Sequence, residues 1–392
     1  MGATGKQQAM NIVDAILFQC RRQPPVAAIC VPGQDRGLIS YRRLEQSIHN
    51  VSRRVMSLGL APGSIVAVNI QDAIVHAATL LALTRLGVAT LSIPNAVPPL
   101  PVRIDALITD GRLEGSAIDR IAFVDASWME GDGQPLESPA DFSMDGNHPC
   151  RIALTSAPTE MPNAIAISQQ LLSQRIGRHL TLFGNRLPHC DRLYCNMPIS
   201  TSLGFQFLIY SLLRGGTIVF PGERFDATLL AIEEYKVQCL IASPAALEAF
   251  VQGFNTIRVY QSNLELIVCC GKMRSPELLD DARLRICSHL VSAYDVTEVG
   301  TVAAASAHEL AGYRDAVGFV TPGTTVQIVD QSGAVLPSGQ QGFVRIKGDV
   351  AVEGYLGVPE EATKSFRNGW FYPGDIGALG SDGLLAITGS PA

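Results

Sequence analysis

Between Gly342 and Gly389 the chain reads GFVRIKGDVAVEGYLGVPEEATKSFRNGWFYPGDIGALGSDGLLAITG, with glycine every few residues between short apolar runs. Such spacing suits tight turns and left-handed positions between short strands. Turn signals at Asp330-Gln331-Ser332-Gly333 and Pro337-Ser338-Gly339 extend the pattern back to about Gly312. Upstream, helical and strand patterns alternate, which signals layered α/β structure. Ser40 precedes an amphipathic helix ending at Gly59, followed by the strand SIVAVNI and a helix from Asp72 to Leu86. Further on, RIAL, LTLF, RLYCNM, TIVF, CLIAS, ELIV and LVSAY read as strands, and QQLLSQRI and FQFLIYSLLRGG as helices. The expected fold class is α/β: two helix-flanked sheet subdomains, residues 1–149 and 150–310, and a smaller β-rich subdomain, 311–392.

The order Gly342, Gly348, Gly354-Tyr355, Gly369-Trp370-Phe371, Gly374-Asp375 and Asp382-Gly383 resembles the acyl-adenylate-forming enzymes, the AMP-dependent synthetase and ligase superfamily. The resemblance covers nearly the whole chain and implies the fold of that family's large N-terminal domain. It implies that Asp375 accepts the ribose hydroxyls of ATP, a task suited to a carboxylate with two acceptor oxygens. Tyr294-Asp295-Val296-Thr297-Glu298 resembles the family's Tyr-Gly-x-Thr-Glu element and departs from it at Asp295. By that likeness Tyr294 lies across the nucleotide, Thr297 bonds the α-phosphate, and Glu298 helps hold Mg²⁺ through oxygen. Thr297 and Glu298 are the candidate catalytic residues, and Glu298 is the candidate metal ligand. Gly271, after the strand LELIV, stands in the adenine-binding turn.

The family's phosphate loop, Thr-Ser-Gly-Thr-Thr-Gly-x-Pro-Lys-Gly, aligns with Thr155-Ser156-Ala157-Pro158-Thr159-Glu160-Met161-Pro162-Asn163-Ala164. Thr155, Ser156 and Thr159 remain as candidate phosphate-binding residues. Three glycines have become Ala157, Glu160 and Ala164, which removes backbone freedom, and Pro158 removes an amide donor. Glu160 sets a negative charge beside a polyanion, and at about 4 Å and an effective dielectric of 20 each charge pair costs roughly 4 kcal/mol. Neutral Asn163 stands at the lysine position. After Gly389 the family continues with an arginine, a hinge and a small C-terminal domain bearing a catalytic lysine; here Ser390-Pro391-Ala392 follow, and no residue takes that role.

The substrate pocket is placed by position alone. Pro198-Ile199-Ser200-Thr201-Ser202-Leu203-Gly204 fits the family's Pro-x-x-His-x-x-Gly, with Thr201 in the histidine's place. Phe205, Ser243 and Val299 are the other expected walls.

A net charge of −6 argues against a nucleic-acid or anionic-membrane partner. The apolar stretch Ile74 to Ile93 contains His76 and Arg85 and reads as a buried helix running into a strand. The N-terminus lacks an apolar signal core, and the nine cysteines form no Cys-x-x-Cys pair, which suits reduced thiols in a cytoplasmic protein. An apolar content of 47% favours deep burial and a homo-oligomer interface.

Two functions follow. One is an AMP-forming acyl-adenylate or acyl-CoA ligase with impaired ATP chemistry. It would use ATP, Mg²⁺, a small carboxylic acid and, as acceptor, CoA or a carrier protein, with its C-terminal domain absent or supplied in trans. The other is a non-adenylating homologue that binds an acyl, nucleotide or protein ligand, or takes a pre-activated acyl group.

Overall fold

The computed structural model describes residues 11–34, 37–95, 99–111, 118–136, 146–155, 162–256, 263–271, 276–358 and 364–389. The chain divides into two compact units, the first built mainly from residues up to 176 and from 199–217, the second mainly from residues 177–198 and 218 onward.

In the first unit, α1 (Ile12–Arg22) precedes a hairpin of β1 (Ala27–Cys30) and β2 (Leu38–Ser40) and then α2 (Tyr41–Ser57). The Ser40 hydroxyl accepts from Arg43 N and caps α2 as expected. β3 (Ile65–Asn69) leads to α3 (Ala73–Arg85), whose cap is Asp72, accepting from the amides of Ile74 and Val75. β4 (Ala89–Ser92), β5 (Ala106–Thr109), β6 (Ile121–Phe123), β7 (Pro149–Thr155) and β8 (Asn163–Ser168) complete a six-stranded sheet ordered β6-β5-β3-β4-β7-β8. Its strands are parallel except for the β7–β8 hairpin. Val66 to Val68, Leu80 to Leu83 and Ala106 to Ile108 are almost wholly buried, as an α/β layer requires. α3 followed by β4 is the buried helix and strand that Ile74 to Ile93 predicted.

α4 (Gln169–Leu182) follows, its residues divided between the units. It corrects one reading. Residues 180–183, LTLF, are not a strand: Leu180 to Leu182 form the last turn of α4 and Phe183 follows it. A four-residue apolar run cannot distinguish the two states, and the helical period of the preceding residues carries through it. α5 (Ser202–Arg214) ends at Gly215, in the left-handed conformation at φ 76°.

In the second unit, β9 (Arg192–Cys195), β11 (Cys239–Ala242), β12 (Leu266–Cys270) and β13 (Leu290–Val296) pair in parallel, in that order. β10 (Thr217–Val219) continues the row beyond β9. The connecting helices include α6 (Phe225–Glu234), α7 (Pro244–Thr256) and α8 (Pro276–Arg285). β13 then turns back into β14 (Gly300–Ser306). From there β15 (Ala316–Val320), β16 (Thr324–Val329), β17 (Gly342–Gly348), β18 (Phe366–Arg367), β19 (Trp370–Phe371), β20 (Ile376–Leu379) and β21 (Leu384–Gly389) pair antiparallel. Among the described residues after Gly312 the regular elements are all strands, in agreement with the glycine spacing. The β13–β14 ladder slips by one residue: Tyr294 faces Ala303 but Asp295 faces Thr301, leaving Val302 as a bulge.

All nine cysteines are buried and none is disulfide-bonded. Among the described residues no helix is long and apolar enough to cross a membrane.

Candidate functional site

The second unit gathers most of the expected nucleotide residues at the carboxyl ends of β12 and β13, where open α/β sheets place their ligands. Gly271 follows β12 at φ 125°, a backbone conformation that side chains rarely adopt, and its amide donates to Ala293 O at 2.9 Å. One residue further along β13, the Tyr294 hydroxyl donates to Asp375 Oδ2 at 2.5 Å. Burial, reinforced by the Asp375 charge, pushes the Tyr294 phenol well above its ordinary range, so it remains a donor. Asp375 follows Gly374 at φ 80°, and its carbonyl accepts from Val344 N at 3.0 Å.

Thr297 and Glu298 occupy the tight turn that reverses β13 into β14, closed by Val299 N donating to Val296 O at 2.9 Å. Gly300 leaves the turn at φ 88°. The Glu298 side chain is turned inward and buried. Its Oε1 accepts from the Tyr355 hydroxyl at 2.8 Å, and its carbonyl accepts from Val352 N at 2.8 Å. Val299, an expected pocket wall, is fully buried and lies against Gly348. At position 295, where the sequence departs from the family pattern, the carboxylate accepts from Thr301 Oγ1 at 2.6 Å and braces the turn internally. Ser243 lies between β11 and α7, its hydroxyl accepting from Ala246 N at 3.2 Å.

Sequence reasoning missed Tyr355 as a partner of Glu298. Its signal was the Gly354-Tyr355 dipeptide, quoted as a family landmark but given no task.

The remaining candidates lie in the first unit. Thr155 ends β7 opposite Asn163 in β8, so the family's lysine position falls at the mouth of a hairpin. The Thr155 hydroxyl is buried and has no hydrogen-bond partner among the described residues. Ser156 and Thr159, with Ala157, Pro158 and Glu160, lie outside the described residues. Thr201 caps α5, its hydroxyl accepting from Gly204 N at 3.1 Å. Phe205, 1% exposed, carries the Arg151 guanidinium over its ring with 5.0 Å to the centroid. Among the described residues no group of three or more His, Cys, Asp or Glu side chains gathers for a metal ion.

The signature of the AMP-binding enzymes, by its description "AMP-binding enzyme", matches residues 18–356, and the chain belongs to that family. It is 25% identical over 412 aligned positions to the 4-chlorobenzoate–CoA ligase of an Arthrobacter species, covering 96% of this chain and 75% of that protein. It is 24% identical to the feruloyl-CoA synthase of an Amycolatopsis species, over 89% of this chain and 73% of the relative. The crystal structure of VinN superposes with a TM-score of 0.83 at 20% identity, covering 97% of this chain and 99% of that one. That likeness confirms the expected fold, the mixed α/β N-terminal domain of adenylate-forming enzymes.

Proposed function

We propose that this protein is an acyl-adenylate-forming or acyl-CoA ligase-like enzyme for a small carboxylic acid, one that recognises the AMP portion of its nucleotide better than the triphosphate. The observation that carries the reading is the Tyr294–Asp375 hydrogen bond, which ties a carboxylate to a residue near the end of β13, while Gly271 at the end of β12 bonds the neighbouring Ala293. A carboxylate so held suits the paired hydroxyls of a ribose, and the bare backbone at Gly271 suits the close approach of a flat base. Thr297, one turn away, would donate to the α-phosphate. Glu298 would share Mg²⁺ with phosphate oxygens, its orientation set by Tyr355. In the family's chemistry a carboxylate oxygen of the acid attacks the α-phosphorus and pyrophosphate leaves; a thiol such as that of CoA then attacks the acyl carbon and AMP leaves. The curated relatives named above are CoA ligases of aromatic acids, which makes an aromatic carboxylate the first substrate class to try.

The loop sequence favours a second reading. Ala157, Pro158, Glu160 and Asn163 all work against the β- and γ-phosphates, so a protein that binds AMP or an acyl-adenylate without forming it accounts for the same site.

Calorimetric titration with AMP and with MgATP separates the outcomes. AMP binds more tightly than MgATP, and Glu160→Gly with Asn163→Lys improves ATP affinity more than AMP affinity. One lost charge-assisted hydrogen bond, about 1.5–3 kcal/mol, corresponds to one to two orders of magnitude in ATP affinity. MgATP binding tighter than AMP, with acid-dependent pyrophosphate release, would restore an undamaged ligase. No binding of either nucleotide would remove the nucleotide reading altogether.

A further inference from the structure

Arg151 lies in β7 and is 1% exposed, yet no carboxylate pairs with it among the described residues. An arginine does not lose its proton in a protein, so the sequence has buried a lone charge where an apolar side chain of similar size would pack at lower cost. The neighbours show what the charge holds. Nη1 donates to the Thr90 hydroxyl of β4 at 3.2 Å. Nη2 donates to two successive carbonyls, Ile199 O at 3.4 Å and Ser200 O at 2.8 Å. The guanidinium carbon lies over the Phe205 ring. Nε finds no partner among the described residues.

Ile199 and Ser200 belong to the turn immediately before Thr201, the cap of α5. Carbonyls in such a turn have no ladder of their own, and that of buried Ile199 would be costly to leave unpaired. Arg151 supplies their donors, and its stacking on Phe205 grips the first turn of the same helix. Residues alternate faces along a strand, so Arg151, Ala153 and Thr155 share one side of β7. Four residues beyond the arginine, at Thr155, the strand passes into the phosphate-loop segment.

We infer that Arg151 is a positioning residue that clamps the turn carrying Thr201, and the first turn of α5 with Phe205, to the strand that leads into the phosphate loop. It thereby fixes Thr201 and Phe205, two of the expected acyl-pocket walls. That last step rests on the reading of Thr201 and Phe205 as acyl-pocket walls under the proposed function. The clamp itself rests on the hydrogen bonds alone.

The test compares wild type with Arg151→Lys and Arg151→Met, each first checked for folding by circular dichroism and thermal melting. Lysine keeps the charge but has neither the fork for two carbonyls nor a flat face for Phe205. Amide hydrogen exchange at Gly204 to Gln206 is expected to accelerate at least tenfold in Arg151→Lys, while Ile209 to Leu212 of the same helix stay protected. In steady-state adenylation with a panel of aromatic acids, the KM for the acid is expected to rise about tenfold or more, with the KM for ATP within twofold of wild type. Arg151→Met, if folded, shows the same split more strongly. A purely structural arginine would lower the melting point and scale all parameters together, which overturns the inference. Unchanged exchange at Gly204 to Gln206 overturns it too. Should wild type turn over no acid, the adenylation reading fails while exchange still decides the clamp.

Discussion

Replacing Tyr294 by Phe removes one oxygen from a buried ring and nothing else. The lost bond joins a phenol to a carboxylate, and hydrogen bonds to charged groups contribute about 1.5–3 kcal/mol. Tyr294 itself is 4% exposed, so water cannot readily take its place, and the cost should lie within that range rather than near zero. About 1.4 kcal/mol is a factor of ten, so the folding equilibrium shifts by roughly one to two orders of magnitude. Urea unfolding of wild type and Tyr294→Phe, fitted with a common slope, measures this directly. The variant should also bind AMP about tenfold more weakly, because Asp375 loses the Tyr294 donor. A stability difference below about 0.5 kcal/mol would show that the pair is not formed in solution. A normal loss of stability with unaltered AMP affinity would place Asp375 outside the nucleotide site.

Acidification gives a second expectation. Burial holds the His76 imidazole down at about 3, against 6.5 for the free group. The folded state therefore binds fewer protons than the unfolded chain between those values. The stability His76 contributes is complete above about pH 6.5 and is lost as pH falls, by about 1.4 kcal/mol per pH unit. His76→Gln flattens that part of the profile, read as urea midpoints from pH 7.5 to 4.5; parallel profiles would show that the ring is not neutral in the fold. Tyr355→Phe removes a buried hydroxyl donor to Glu298 and should cost about 1–3 kcal/mol, together with weaker Mg²⁺-dependent nucleotide binding in a calorimeter. Gly318, at φ 134°, would set a new Cβ 2.5 Å from the Ala304 carbonyl carbon, so Gly318→Ala should destabilise by about 3 kcal/mol or more in thermal melts. A melting temperature equal to wild type would refute that packing.

The α/β layering was legible because its signals are local. Ser40 and Asp72 cap the helices they precede, and the apolar runs at β3, β11 and β12 suit strands buried on both faces. LTLF misled because four apolar residues carry no period of their own, and the helix behind them decides their state. The candidate nucleotide residues could be nominated only through family order, since Tyr294 and Asp375 are 81 positions apart and no local rule joins them. Arg151 and Tyr355 escaped notice for the opposite reason. A buried arginine looks like any other in sequence, and its meaning comes from two carbonyls 48 and 49 residues away. Tyr355 finds Glu298 across 57 residues, a pairing that only the folded sheet creates.

The bulge at Val302 acts as a phase joint in the β13–β14 hairpin. Side chains on a strand are phased by the pleat, so in an unbroken ladder the orientation of the turn would be dictated by the core residues Ala293 and Ala304 that face each other below it. The extra residue resets that phase between Tyr294 and Asp295. The faces taken by the core end of the hairpin and by the turn with Thr297 and Glu298 are thus not fixed by one continuous pleat. Two sets of constraints that share fourteen strand residues are thereby uncoupled at a single position.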